Sequence, residues 1–201
     1  MTIYQPAEDS YLLSEEVKNY LIKIKNKKIN QGFKILDMGS GSGIQAKTCK
    51  KLGFNSILCA DINQKAVEHL KRQGFKAIKT NLFSNINKKE KFDLIIFNPP
   101  YLPEDKREPK DSRTNTTAGK KGYELIIHFL KQAKSYLSDK GVILLLFSSL
   151  SQPKIIINKT EALGYKIRLI NNLKLDFEEL YIYGLKLNMS RILITTPFKV
   201  W

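Results

Sequence analysis

The 201-residue sequence predicts an α/β fold. It is a three-layer, Rossmann-like arrangement around a mostly parallel seven-stranded sheet, with an antiparallel strand near the C-terminus. Three observations carry this. Short continuous apolar runs such as "FDLIIFN" and "GVILLLF" alternate with segments of helical periodicity, as in a parallel sheet covered on both faces. A glycine-rich turn, "LDMGSGSG", joins the first such run to the next helix, where open α/β sheets bind ligands. Finally, "KIRLINNLKL" and "LYIYGLKL" flank "DFEE", which reads as a closing hairpin.

In chain order, apolar Leu13, Val17, Tyr20, Leu21 and Ile24 recur at helical spacing, so a helix is expected over about residues 7–25. Pro6 suits its first turn, and Glu8 and Asp9 suit the positive end of its dipole. After "NQG" the strand "FKILDMG" leads through the glycine turn into a helix up to about Leu52. "SILCADI" is the second strand, followed by a helix around 63–72, then "KAIKTNL" and "FDLIIFN" as third and fourth strands. A charged loop from Leu102 to about Ala118 precedes a helix ending near Leu137. "GVILLLF" is the fifth strand, and a helix near 152–163 precedes the hairpin. No repeat or linker interrupts this order, so one domain over residues 1–201 is expected, with an atypical tail at 188–201 that packs on the body or forms an edge strand.

Bulk composition narrows the function classes. Hydrophobic content of 42% and charged content of 26% suit a globular protein, and no apolar run approaches the roughly 18 residues of a membrane span. No secretory signal is visible at the N-terminus, so a reduced, cytoplasmic setting is expected. Cys49, Cys59, His69 and His128 are the only cysteines and histidines, which predicts neither a disulfide framework nor a metal site. The net charge of +15 points toward nucleic acid, but only five of the 34 basic residues are arginine. Nucleic-acid sites draw on arginine for bidentate contacts, so a solvated lysine surface is the favoured reading.

The glycine turn places Asp37, Gly39, Gly41 and Gly43 at the end of the first strand, and Asp61 ends the second. Glycines let a ligand approach the backbone, and a carboxylate at the second strand end accepts the hydroxyls of an adenosine ribose. A dinucleotide and S-adenosylmethionine both meet this description. The G-x-G-x-x-G spacing would need glycine at position 44, which is Ile44. Asp37 also sits poorly beside a pyrophosphate and well beside a sulfonium and an ammonium group, so S-adenosylmethionine is the expected cofactor.

"FDLIIFNPPYL" ends a core strand with an amide, two prolines and an aromatic ring. Methyl transfer to a planar nitrogen develops positive charge on that atom. The side-chain oxygen of Asn98 and the backbone carbonyl of Pro99 would accept its N–H bonds and stabilise that charge. Pro99 and Pro100 stiffen the backbone, and Tyr101 would cover the planar group. A plain strand stop at Pro-Pro is the alternative, disfavoured by the cofactor-like turn before it.

With these motifs the chain resembles the class I S-adenosylmethionine-dependent methyltransferases that carry N-P-P-Y. "YQPAEDSYLL" at residues 4–13 narrows the resemblance to the small HemK-related release factor glutamine methyltransferases of archaeal and eukaryotic type. The resemblance covers about residues 3–187 and implies methylation of the glutamine in the Gly-Gly-Gln motif of a class I peptide release factor. It implies that the N-terminal helix covers the cofactor, with Ser10 over its methionine part, Asp37, Gly39 and Gly41 along its amino-acid moiety, and Asp61 on the ribose. Asn81 and Leu82 match the pair flanking the adenine, though the family usually has Asp at the first position. Asn98, Pro99, Pro100 and Tyr101 match the substrate clamp, with Asn98 also at the cofactor edge. "AGKKGYELI" resembles the return of the loop to a helix near the substrate mouth.

The resemblance also implies a small zinc-binding activator protein as partner, with Phe75, Ile78 and Phe83 as candidate surface and core packing as their competing role. The runner-up function is a nucleic-acid base N-methyltransferase, acting on adenine N6 or guanine N2. The loop at 102–118 mixes charge signs and has no aromatic residue for base stacking, which favours a protein acceptor. A silent cofactor-binding subunit is a third class, disfavoured by the intact clamp.

Overall fold

In a computed structural model, residues 2–27, 32–101 and 121–188 are described. The loop at 102–118 and the tail beyond Asn188 therefore lie outside the described residues. The chain runs α1 (Glu8–Asn26), β1 (Ile35–Met38), α2 (Ile44–Lys51), β2 (Ile57–Asp61), α3 (Gln64–Arg72), β3 (Lys76–Lys79) and β4 (Phe92–Phe97). It continues through α4 (Glu124–Ala133), β5 (Leu137–Ser148), a short 3-10 turn (Ser149–Ser151), α5 (Pro153–Ala162), β6 (Tyr165–Lys174) and β7 (Glu179–Leu187).

The seven strands form one sheet in the order β3-β2-β1-β4-β5-β7-β6. Neighbours from β3 to β5 pair parallel, and β7 runs antiparallel to both β5 and β6. The expected architecture is observed, including its single reversed strand. Reversal of strand order at β1 and β4 brings the ends of β1, β2 and β4 to one edge, since Met38 pairs with Phe97 and with Ala60. That edge is where a doubly wound sheet binds its ligand.

Each face of the sheet buries its own apolar layer. Leu13, Val17 and Leu21 of α1, spaced four apart, pack with Ile35, Leu94, Ile96 and Leu144. On the other face Ile126, Phe129 and Leu130 of α4 pack with Leu36, Ile95, Phe97 and Phe147. Cys49 and Cys59 are free thiols buried in the first layer, where desolvation pushes both above the ordinary thiol range. No described helix is long and apolar enough to cross a membrane.

Two element boundaries differ from expectation. The helix expected to end near Leu137 ends at Ala133, because the Tyr136 carbonyl accepts the Phe92 N–H and Leu137 pairs with Phe92 as the start of β5. β5 then shifts register before Val142. The expected third strand through Leu82 stops at Lys79. There the Thr80 hydroxyl donates to the Leu82 carbonyl and accepts the Asn85 N–H, closing a turn. His69 lies half-buried beside Gln73 and His128 is exposed on α4.

Candidate active site

The glycine turn is held by the Asp61 carboxylate and by backbone groups. Gly39 and Ser40 N–H groups donate to the Ala60 carbonyl, and the Ser40 hydroxyl donates to the Asp37 carbonyl. Asp61 fastens the turn from β2: one oxygen accepts the Gly41 N–H at 2.8 Å and the other the Asn63 N–H at 2.7 Å. The two oxygens together offer about four acceptor sites, so Asp61 keeps capacity for a ligand hydroxyl. Gly43, which caps α2, has φ +80° and packs so closely that a Cβ would lie 2.5 Å from the Leu70 side chain. Gly43→Ala therefore combines left-handed strain with overpacking and should lower unfolding free energy by about 2–4 kcal/mol. An unchanged melting temperature in calorimetry would contradict this packing.

Asp37 is almost wholly buried, with the Ala46 N–H donating to it at 3.2 Å. Burial, with a smaller contribution from Asp61, pushes its carboxyl up to about 7. No cation among the described residues offsets this, so the site suits a ligand carrying positive charge.

These residues line a cavity of about 400 Å³ together with Ser10, Asn81, Leu82, Asn98, Pro99, Pro100 and Tyr101. All eleven sequence-predicted site residues thus lie around one space, although they come from five segments of the chain. Leu82 holds φ +49°, a left-handed conformation rare for a branched side chain, in the turn that aims Asn81 and Leu82 at the cavity.

The clamp follows β4 directly. Asn98 Nδ2 donates to Asp9 Oδ2 at 2.9 Å, while Asn98 Oδ1 is buried and without a partner. The Tyr101 carbonyl accepts the Ser151 hydroxyl at 2.7 Å, fixing the far end of the prolines to the turn after β5. Burial, then the carboxylates of Asp9 and Glu178, push the Tyr101 phenol well above its ordinary range, so it packs as a neutral ring and serves as no base.

Several cavity residues escaped the sequence reading: Tyr4, Asp9, Gln45, Asn63 and Thr80. Its sequence position marks Asp9 only as an acidic residue at the positive end of a helix dipole. Its side chain accepts from Tyr4 and Asn98, contacts that span 5 and 89 residues of sequence. Gln45 Nε2 donates to the Ser10 carbonyl, and the Ser14 and Thr48 hydroxyls meet at 2.6 Å, so α1 and α2 are joined over the cavity. Asn63 Nδ2 donates to the Thr2 carbonyl, which ties the N-terminal segment across the end of β2. No local pattern marks these long-range pairs.

The residues fit S-adenosylmethionine: a buried carboxylate lacking a cation, a second carboxylate with free lone pairs, a turn open to close approach, and space for a nucleoside. Comparison with known proteins agrees. Residues 19–151 match the family model described as Eco57I restriction-modification methylase. A candidate protein N5-glutamine methyltransferase of Methanocaldococcus jannaschii is 38% identical over 188 residues, covering 90% of this chain and 89% of that protein. The release factor glutamine methyltransferase of Fusobacterium nucleatum is 30% identical, and the match spans 68% of this chain but 41% of that longer protein. Among solved structures, the E. cuniculi Mtq2-Trm112 complex responsible for methylation of the eRF1 translation termination factor superposes with a TM-score of 0.71 at 26% identity. That match covers 92% of this chain and 99% of the other.

Proposed function

This chain belongs to the protein N5-glutamine methyltransferase family of S-adenosylmethionine-dependent enzymes, and we propose that its acceptor is the glutamine of the Gly-Gly-Gln motif in a class I peptide release factor. The observation that carries the chemistry is the half-satisfied Asn98 amide: its nitrogen is committed to Asp9, its oxygen is buried without a partner, and the residue lines the cavity. An amide nitrogen is a weak nucleophile because its lone pair is delocalised into the carbonyl. Bound S-adenosylmethionine supplies an electrophilic methyl group. Asn98 Oδ1 and the Pro99 carbonyl accept the two N–H bonds of the acceptor amide, favour the positive charge that develops there and hold the nitrogen in line. Tyr101 covers the amide plane and excludes water. Ser10, Asp37, Gly39, Gly41, Asp61, Asn81 and Leu82 hold the cofactor.

The base-methyltransferase reading keeps the support of the +15 net charge and of the Eco57I match, which spans the cofactor and clamp segments common to both readings. Mass spectrometry after incubation with cofactor separates them. A single methyl on the Gly-Gly-Gln glutamine is expected, and methylated DNA or RNA with an unmodified glutamine would overturn the acceptor. On this substrate a cytoplasmic location is proposed, and the free buried thiols are compatible with it.

A small zinc-binding activator is the proposed second partner, and the E. cuniculi relative was solved with Trm112. Among the described residues β3 pairs with β2 alone and forms the sheet edge, and Phe75 before it and Ile78 within it are half-buried. Phe83 is withdrawn from this surface. It is 2% exposed and stacks on Tyr136 at 4.5 Å and on Phe129 at 5.6 Å. Co-production with such an activator should raise soluble yield and turnover. Full solubility and activity of the lone chain would count against an obligate partner.

A further inference from the structure

We propose that Asp9 is a positioning residue of methyl transfer: its carboxylate decides which end of the Asn98 amide faces the acceptor nitrogen, and strengthens that end as a hydrogen-bond acceptor. The inference rests on the clamp role assigned to Asn98 above. The two ends of an amide have nearly the same shape and opposite hydrogen-bonding character. If Asn98 turned over, an NH2 group would meet the N–H of the acceptor, donor against donor. Nothing in the Asn-Pro-Pro-Tyr stretch itself prevents this.

Asp9 prevents it. A carboxylate only accepts, so only the NH2 end of Asn98 can face it, and Oδ1 must take the opposite side. The group is 5% exposed and tightly held. Its Oδ1 accepts the Ser10 N–H at 2.5 Å, its Oδ2 accepts Asn98 Nδ2 at 2.9 Å, and the Tyr4 hydroxyl reaches both oxygens at 3.2 Å. Donation from Nδ2 to a negative group also draws electron density through the amide toward Oδ1, as in other hydrogen-bonded chains. The oxygen that must stabilise developing positive charge is thereby made a better acceptor. The same contact joins the first turn of α1 to the end of β4.

Asp9→Asn is the informative substitution because it preserves shape. An Asn at this position has one oxygen for the two N–H donors, Ser10 N–H and Asn98 Nδ2. Either the Ser10 bond is lost, or the new NH2 faces Asn98 and turns it over. The test is a double-mutant cycle with Asn98→Ala, read on whichever acceptor the wild type methylates. It is paired with the Asn98 side-chain amide resonances in nitrogen-15-labelled, cofactor-bound protein without acceptor. Asp9→Asn is expected to lower kcat on the order of 10²-fold. The acceptor KM and the cofactor Kd should move less than about threefold. In the Asn98→Ala background the same change should cost less than about twofold further, and the Asn98 amide resonances should shift in the single variant. Losses that multiply, or unmoved resonances, would overturn the proposal. If the wild type methylates a base and leaves glutamine untouched, the acceptor assignment fails, while the cycle and the resonances still decide the role of Asp9.

Discussion

Asn98→Ala is expected to lower the rate of methyl transfer by about 10²–10³-fold, equivalent to about 2.7–4 kcal/mol, the size of effect seen when one preorganised charge-stabilising group is removed from an enzyme site. The loss should fall on kcat. The oxygen removed meets the acceptor N–H most strongly when the nitrogen carries positive charge, so ground-state binding depends on it less. Cofactor affinity should change little, because the carboxylates proposed to hold it sit on β1 and β2. The substitution also strands Asp9, whose Oδ2 loses the Asn98 donor and keeps Tyr4. Single-turnover transfer with saturating cofactor isolates the chemical step. A variant with wild-type single-turnover rate would remove Asn98 from the mechanism.

The second large effect is on pH dependence. In the free protein the Asp37 carboxyl is raised to about 7, mainly by burial. A positively charged cofactor pairs only with the ionised form, so binding below that pH must first release a proton. Apparent affinity should therefore fall about 30-fold between pH 8 and pH 5.5, with close to one proton released at the acid end. Calorimetric titration in buffers of different ionisation enthalpy measures both quantities. Flat affinity across that range would show that Asp37 does not meet the cofactor's charge.

The same shift acts on folding, with the opposite preference. Because the folded pKa lies above the usual carboxylate value of 3.8, the folded state holds the proton more tightly. Asp37 thus contributes no penalty below that value, and its contribution to stability is lost as pH rises toward 7, on the order of 4 kcal/mol. Asp37→Asn should raise the melting temperature of the free protein at pH 8 while weakening cofactor binding and flattening its pH dependence. The site is stressed until ligand arrives, a trade of stability for function.

Much of this protein was written in local pattern. Continuous apolar runs, helical spacing and glycine turns are short-range signals. They determined the element order, the parallel sheet with its reversed β7, the glycine turn with Asp37 and Asp61, and the amide-proline-proline-tyrosine clamp after β4. Elements whose ends depend on distant partners were less legible. β5 starts at Leu137 because Phe92, 45 residues earlier, lies beside it. Phe83 belongs to the core because Phe129 and Tyr136, both distant in sequence, stack against it.

The sequence by itself determined which residues line the candidate site, because they are concentrated in short contiguous motifs at strand ends. Only the tertiary structure decided how those motifs are poised. Burial of Asp37 follows from layers on both faces of the sheet. The orientation of the Asn98 amide follows from Asp9, 89 residues away, whose approach no periodicity or spacing encodes. Pairwise geometry between distant segments is a property of packing, and there the amide of the clamp acquires its direction.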